Sequence, residues 1–294
     1  GMLGSSGRAL QSPRMQFQIV SHACASLRQG AVRLVLDPWL IGPVYWGAWW
    51  HCPEPVHDEG IFRPDYVYIT HWHFDHLHAE SLRRFHPDTH FLVPAFPVSI
   101  LKKTLRDLGF EKVTELAHAE PFELGADFRI TSWQIQYQDD SLCVIEGGGT
   151  VLVDLNDCKP LPRTWRKLRA RYPRVDFMLR SHSPAWSYPS CYAFDDPGEA
   201  IPVGRESYMQ AFRSAAGLLR PRYAIPFASS VCHPHRDVVA ENGEMVTAVE
   251  LEAWWKRHPL AGTELVLMPP GSRWDERAGF DTSRGLVVRD VRAY

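Results

Sequence analysis

Four of the chain's 14 histidines fall within eight residues, at His71, His73, His76 and His78, with Asp75 among them. The run just before them, Tyr66-Val67-Tyr68-Ile69-Thr70, is aromatic and β-branched and predicts a strand. A strand that runs into such a cluster constrains the fold strongly. The loop after it must aim several imidazoles and a carboxylate at one place, and the rest of the chain must hold that place rigid. His71 and His73 stand two residues apart, so on an extended backbone they face the same side and can share one metal ion. Asp75 and His76 follow where the loop turns and can face a second ion. Imidazole with carboxylate suits zinc, iron or manganese. A solvated polar loop is the ordinary alternative. The internal position and the interleaved Trp72 and Phe74 exclude an affinity tag. His78 reads as a supporting or surface residue.

The bulk of the chain can supply the rigid frame. Of 294 residues, 45% are hydrophobic and 22% charged, enough for a sizeable core. A net charge of −2 gives no basic signature, so no nucleic-acid partner is expected. No apolar run approaches the roughly 18 residues of a membrane-spanning helix. The N-terminus has no apolar signal core, and Cys24, Cys52, Cys143, Cys158, Cys191 and Cys232 form no C-x-x-C pair. Free thiols in a reducing compartment follow, with a cytoplasmic location and a small-molecule substrate.

Residues 1–15 are small and polar and are expected to be flexible, with a single domain from 16 to 294. Strands are predicted at Gln16–Val20, Ala31–Leu36, Phe91–Val93, Val175–Leu179, Tyr223–Phe227 and Leu265–Met268. Phe128–Leu155 reads as three strands, with Gly147-Gly148-Gly149 as one tight turn. Helices are predicted over Glu80–Phe85, Val98–Leu108, Arg163–Arg171, Glu206–Leu219 and Val246–Trp255, and Trp39–Pro55 as a long ordered loop. Two blocks of strands mixed with helices give an α/β or α+β class.

Thr70-His71-Trp72-His73-Phe74-Asp75-His76 resembles the T-H-x-H-x-D-H signature of the metallo-β-lactamase superfamily. Three further blocks, Asp37-Pro38-Trp39-Leu40-Ile41-Gly42-Pro43, Gly47-Ala48-Trp49-Trp50 and Tyr66–His71, are similar to the metallo-β-lactamase-type domain of CMP-N-acetylneuraminate hydroxylase. Asn156-Asp157-Cys158-Lys159-Pro160, Ser187-Tyr188-Pro189, Ile225-Pro226-Phe227-Ala228 and His233-Pro234 extend the likeness. The resemblance implies a four-layer αββα sandwich. It implies that His71 and His73 bind one ion, that Asp75 and His76 bind the other, and that a strand-end Asp bridges them. Asp157 matches that Asp, with Asp154 as its rival. The superfamily's third His for the first ion is missing from Gln134–Asp140, where Asp140 or a Gln could substitute. Its last His would fall near Ala228, and His233 or His235 lies a few residues on.

One or two divalent ions are therefore expected, zinc first, on His71, His73, Asp75, His76, Asp157 and His233. Asp75 would also orient a metal-activated water. His182 and Trp39 are candidates for binding substrate, and His22, at the end of the first strand, is either a pocket or a loop residue. Trp46, Trp49 and Trp50 could wall the pocket. The expected activity is hydrolysis of an ester, lactone, phosphodiester or amide. No G-x-S-x-G motif suggests a serine nucleophile instead. The alternatives are a redox protein with a non-haem iron site and a non-catalytic metal-binding protein on the same fold. A Rieske centre needs two Cys and two His in paired motifs, and these residues contain no such pairing.

Overall fold

Alternation of inward and outward residues along the strands sets the layers. Leu34 and Leu36 point one way and Val35 the other; Tyr68 opposes Val67 and Ile69; Leu92 opposes Phe91 and Val93. The same holds for Cys143 and Ile145 against Leu142 and Val144, and for Phe177 and Leu179 against Met178. Strands apolar on both faces must be covered on both. In the computed structural model, which describes residues 14–184, 194–196, 198 and 204–293, they are.

Among the described residues, one sheet of eight strands runs in the order Gly279–Asp281, Arg273–Asp275, Met15–Ile19, Ala25–Gln29, Val32–Leu36, Tyr66–Tyr68, His90–Pro94 and Val113–Leu116. A second, of seven, runs Glu264–Leu265, Pro221–Pro226, Val175–Arg180, Thr150–Asp154, Asp140–Gly147, Phe128–Ile135 and Pro121–Gly125. The two inner faces share a buried core that includes Phe17, Leu36, Tyr68, Ile145 and Phe177. Helices Ala79–Leu82 and Ile100–Asp107 cover the outside of the first sheet. Pro162–Arg171, Arg205–Leu219 and Ala248–Arg257 cover the outside of the second. This is the expected four-layer sandwich.

Most helix ends lie within two residues of the expected ones, the usual fraying range. The last helix starts at Ala248 rather than Val246 because Thr247 caps it. Its hydroxyl accepts from the Glu250 amide, and the Glu250 carboxylate accepts from the Thr247 amide, a complete capping box. Ala79–Leu82 is a single turn, shorter than the predicted 80–85. Gly148 and Gly149, at φ +58° and +80°, make the two-residue hairpin between the paired Gly147 and Thr150.

Several elements depart from expectation. Ala25–Gln29 is a strand with little β-branched sequence; it forms because it is hydrogen-bonded on both sides, to Met15–Ile19 and Val32–Leu36. Val113–Leu116 and Pro121–Gly125 at sheet edges, and the hairpin Arg273–Asp275 with Gly279–Asp281, were not expected. Leu265–Met268 is not a full strand, since pairing covers only Glu264–Leu265. Trp39–Pro55 is more ordered than a loop. It holds a 3-10 turn at Tyr45–Gly47, a bridge between Val44 and Trp49, and the strand Trp50–His51 paired with Val231–Cys232. Residues 1–13 and the Ser187-Tyr188-Pro189 block lie outside the described residues, whereas Met15 is already in a strand. No helix among the described residues is long and apolar enough to cross a membrane.

Candidate metal centre

Parallel strands of the two sheets end along one rim, the place where open α/β sheets hold their ligands. Val32–Leu36 and Tyr66–Tyr68 run parallel with Leu36 opposite Tyr68, so Asp37 and Thr70-His71 emerge side by side. In the other sheet Thr150–Asp154 and Val175–Arg180 run parallel and end beside them, delivering Asn156 and Asp157. Asp37, Asn156 and Ala228 follow strands with φ of +38°, +41° and +46°. Non-glycine residues hold that left-handed conformation at a cost and concentrate at functional sites.

Two groups of potential ligands meet here. His71, His73 and Asp157 form one; His22, Asp75 and His76 form the other, with the ligand atoms of each within 4.8 Å of one another. Asp157 Oδ1 stands between the groups, 3.9 Å from His71 Nε2 and 3.6 Å from His76 Nε2. His71 Nε2 lies 2.8 Å from His73 Nδ1. The His76 and Asp75 side chains face each other at 3.4 Å, Nε2 to Oδ2.

The rings are aimed from behind. Asp37 accepts from the Thr70 amide and hydroxyl at 2.8 and 2.7 Å, and its Oδ2 meets His76 Nδ1 at 2.7 Å. Asp140 Oδ1 lies 3.2 Å from His71 Nδ1. A carboxylate on Nδ1 holds that nitrogen's proton and leaves the Nε2 lone pair free, the usual support of a metal-binding imidazole. His22 is arranged in the opposite sense. The Ser230 amide donates to its Nδ1 at 3.1 Å, so the neutral ring carries its proton on Nε2, which faces Asp75 Oδ2 at 3.1 Å. It steadies Asp75 as a donor.

The electrostatics ask for a cation. Burial opposes charge on His76, but Asp75, Asp37 and Asp157 outweigh it and raise its pKa well above the ordinary value. Burial also opposes charge on Asp75; the His76 charge and the hydrogen bond and charge of His22 overcome it and hold the carboxyl well below its usual range. Asp157 is likewise lowered, burial being overcome by His71 and His76. Burial lowers His73, and His71 beside it adds to that. His76 Nε2 and Asp157 Oδ1 are buried and make no hydrogen bond among the described residues. Unpaired buried polar atoms of this kind are expensive. An imidazole nitrogen and a carboxylate oxygen facing each other at 3.6 Å are the right donors for a divalent ion between them. The residues present therefore fit a metal.

His71, His73, Asp75, His76 and Asp157 are thus brought together. Asp154 is fully buried and joins neither group, its pKa raised by burial and by the charge of Asp37. Three of the candidates lie outside the two groups. His233 joins neither group: its backbone amide donates to Asn242 Oδ1, and its ring packs on Trp49 at 5.8 Å. Trp39 is 0% exposed, stacked on His51 at 3.8 Å, and packs edge-on against His22 at 5.6 Å, so it presents no surface to solvent. His182 is buried beside Phe212, lines an apolar pocket with Ser229 and Met245, and joins neither ligand group. Burial lowers its pKa to about 4. The sequence reading missed the roles of Asp37, Tyr45 and the hydrogen-bonding role of His22. The signal available for Asp37 was its place at a strand end, immediately before Pro38.

Trp72 and Phe74 alternate with the ligands and are 42% and 45% exposed, forming an apolar margin to the centre. Trp46 stands over Phe74 edge-on at 6.2 Å.

Known proteins resemble this chain in sequence and in fold. A Rieske 2Fe-2S iron-sulfur protein designation is carried by a Mycobacterium tuberculosis relative that is 28% identical over 233 residues, 74% of this chain and 44% of its own length. The cytidine monophosphate-N-acetylneuraminic acid hydroxylase of Xenopus laevis is 29% identical over 163 residues, 51% of this chain and 27% of its own. The chain thus spans under half the length of these curated relatives. In fold it is similar to the diiron β-hydroxylase CmlA of Streptomyces venezuelae, with a TM-score of 0.55 at 18% identity over 90% of this chain and 54% of that one. It is also similar to an isothiocyanate hydrolase from Delia radicum gut bacteria, with a TM-score of 0.62 at 14% identity over 88% of this chain and 97% of that one. The beta-lactamase superfamily domain matches residues 33–190, more than half of the sequence, and the chain belongs to that family.

Proposed function

We propose that this chain is a metal-dependent hydrolase of a small ester, lactone, phosphodiester or amide, with one or two divalent ions, zinc first, on His71, His73, Asp75, His76 and Asp157. The observation that carries the reading is the pair of unsatisfied buried atoms, His76 Nε2 and Asp157 Oδ1, facing each other between two ligand groups. A divalent ion held by these residues would lower the pKa of water and polarise a carbonyl or phosphoryl oxygen. The protein's part is to hold geometry. Asp37 and Asp140 fix the tautomers of His76 and His71, while Tyr45 and His22 hold the two oxygens of Asp75. Asp75, kept ionised, helps to hold the ion and to orient the attacking water. Asp157 is partly open to solvent, so the substrate approaches from its side, past Trp72 and Phe74.

The test is turnover of p-nitrophenyl acetate, a γ-lactone, bis-p-nitrophenyl phosphate and an anilide by zinc-loaded protein, chelated protein and His71→Ala. Hydrolysis of one of them that needs both the ion and His71 supports the reading. No turnover of any by fully loaded protein overturns it in favour of a second reading, a redox protein with a non-haem iron site. One observation favours that second reading: hydroxylases stand among both the relatives and the structural neighbours. Iron retained through purification, with oxygen consumption driven by a chemical reductant, separates the two.

A further inference from the structure

The strap from Val44 to Trp49 crosses beside the metal-ligand loop in an unusual conformation. Tyr45 and Trp46 have φ of +51° and +56°, two consecutive non-glycine residues in the left-handed region. The strap is closed by the Val44 and Trp49 amides, which donate to the Trp49 and Val44 carbonyls at 3.1 and 3.3 Å. The consequence is that neighbouring side chains part company. Trp46 is thrown outward and is 93% exposed, while Tyr45 turns inward between Trp49, at 4.9 Å, and Phe74, at 5.6 Å. Its hydroxyl donates to Asp75 Oδ1 at 2.6 Å, at the short end of the O–H···O range.

Asp75 has two oxygens to share. Tyr45 occupies Oδ1 and His22 occupies one side of Oδ2, which leaves the other side of Oδ2 facing His76 Nε2 at 3.4 Å. The two hydrogen bonds come from opposite parts of the chain, the strap and the end of the first strand, so together they fix the rotation of the carboxylate. Resting on the metal-centre reading above, we propose that Tyr45 is a positioning residue: it holds Asp75 so that a single oxygen, Oδ2, faces the ion on the His76 side, and the strained turn exists to deliver that hydroxyl. His71 and His73 receive no hydrogen bond from the strap among the described residues. The effect of Tyr45 therefore falls on one ion and spares the other.

The experiment uses Co²⁺ as the probe, added to chelator-stripped protein and followed by its visible absorption and by chelator competition. In Tyr45→Phe, which keeps the ring packed and removes the hydroxyl, one Co²⁺ should bind roughly 10- to 100-fold more weakly, as expected when a ligand's supporting hydrogen bond is lost. The absorption band of that ion should shift, because Asp75 is free to rotate or to use both oxygens. The ion held by His71 and His73 should keep its affinity and its spectrum. Trp46→Gly, which leaves the hydroxyl in place at a position glycine tolerates, should bind Co²⁺ as the unmodified chain does. The proposal is overturned if Tyr45→Phe binds Co²⁺ unchanged, if both ions weaken equally, or if Trp46→Gly reproduces the loss, which would assign the effect to the turn and not to the hydroxyl. A chain that binds no Co²⁺ at all, with Tyr45 intact, overturns the metal centre itself and this role with it.

Discussion

His71 and His76 lie on one loop with ring centroids 4.1 Å apart, yet they are held by different parts of the molecule. Behind His76 stands Asp37, fully buried at the end of the strand beside it and pinned by Thr70 of the same loop. Behind His71 stands Asp140, the first residue of a strand in the other sheet, and Asp157 comes from that sheet too. The His76 side is thus framed mainly by the first sheet and the strap, with the Ser230 amide behind His22, whereas both carboxylates facing His71 come from the second sheet. The His76 side is also the drier one: Asp75 and His76 are buried, while His73 is half-buried and the Asp157 side chain is 30% exposed. The centre thus has a buried half and a more open half, and under the proposed activity the substrate would enter where the ligands still meet solvent.

Asp157 is the residue on which the comparison turns, because it faces both halves. Asp157→Ala should lower the affinity for both ions by more than the roughly 100-fold upper limit of a supporting residue, and activity with it. Metal content by elemental analysis checks this, and retention of one ion at full affinity would show that Asp157 serves a single half. The backing carboxylates should act separately. Asp140→Asn should weaken the ion on His71 and His73 by roughly 10- to 100-fold with little change in folding. Asp37→Ala should weaken the ion near His76 and also destabilise the fold by about 3 kcal/mol, since it strands a buried imidazole and two Thr70 donors. Denaturant unfolding beside Co²⁺ titration separates the two effects. Equal losses from either variant would mean that the halves are not independent.

The same asymmetry explains what the sequence could show. The loop carrying His71, His73, Asp75 and His76 is contiguous, so its chemistry could be read from spacing. The strand pattern supports only an α/β or α+β class, because Leu34-Val35-Leu36 and Val67-Tyr68-Ile69 are apolar on both faces, and the four layers follow from the resemblance. Asp157 was reached through a resemblance, and Asp154 was its equal on spacing alone. What failed was long-range. His22 was ambiguous because its role depends on an amide 208 residues away, at Ser230. Asp37 and Tyr45 carry no local mark of whom they will meet. His233 looked suitable because it follows the Pro-Phe-Ala block closely, but the strand Val231–Cys232 pairs with Trp50–His51 and turns its ring onto Trp49. Ala25–Gln29 was missed because its partners, not its own residues, make it a strand.

Protonation offers a weaker handle on the contrast between the centre and its surroundings. In chelated protein, His76 has a folded pKa above its unfolded value, so its contribution is fully present below about pH 6.5 and fades as pH rises through the folded value. His182 behaves oppositely. Burial lowers its pKa to about 4, so the unfolded state takes up its proton first. Its contribution is present above about pH 6.5 and is lost as pH falls towards 4, a ceiling of about 3 kcal/mol. His182→Gln should flatten the acid limb of stability against pH, measured by urea unfolding, and leave the neutral limb alone. An unchanged acid limb would mean that the ring is charged or solvated in the folded state.

The smallest effect is expected from His233. Its neighbours are Trp49 and Asn242, both outside the two ligand groups. His233→Ala should therefore shift Co²⁺ affinity by less than about twofold, well short of the roughly tenfold minimum for a supporting residue. A tenfold loss confined to the His76-side ion would bring His233 back as a ligand reached by movement of its loop. It would also change the character of that half, since a side that recruits a ligand from the Val231–Cys232 strand is not framed by the first sheet and the strap. Trp49 decides between these outcomes: it holds Tyr45 on one side and His233 on the other, so the imidazole can leave its ring only by unpacking the strap that keeps Asp75 in place.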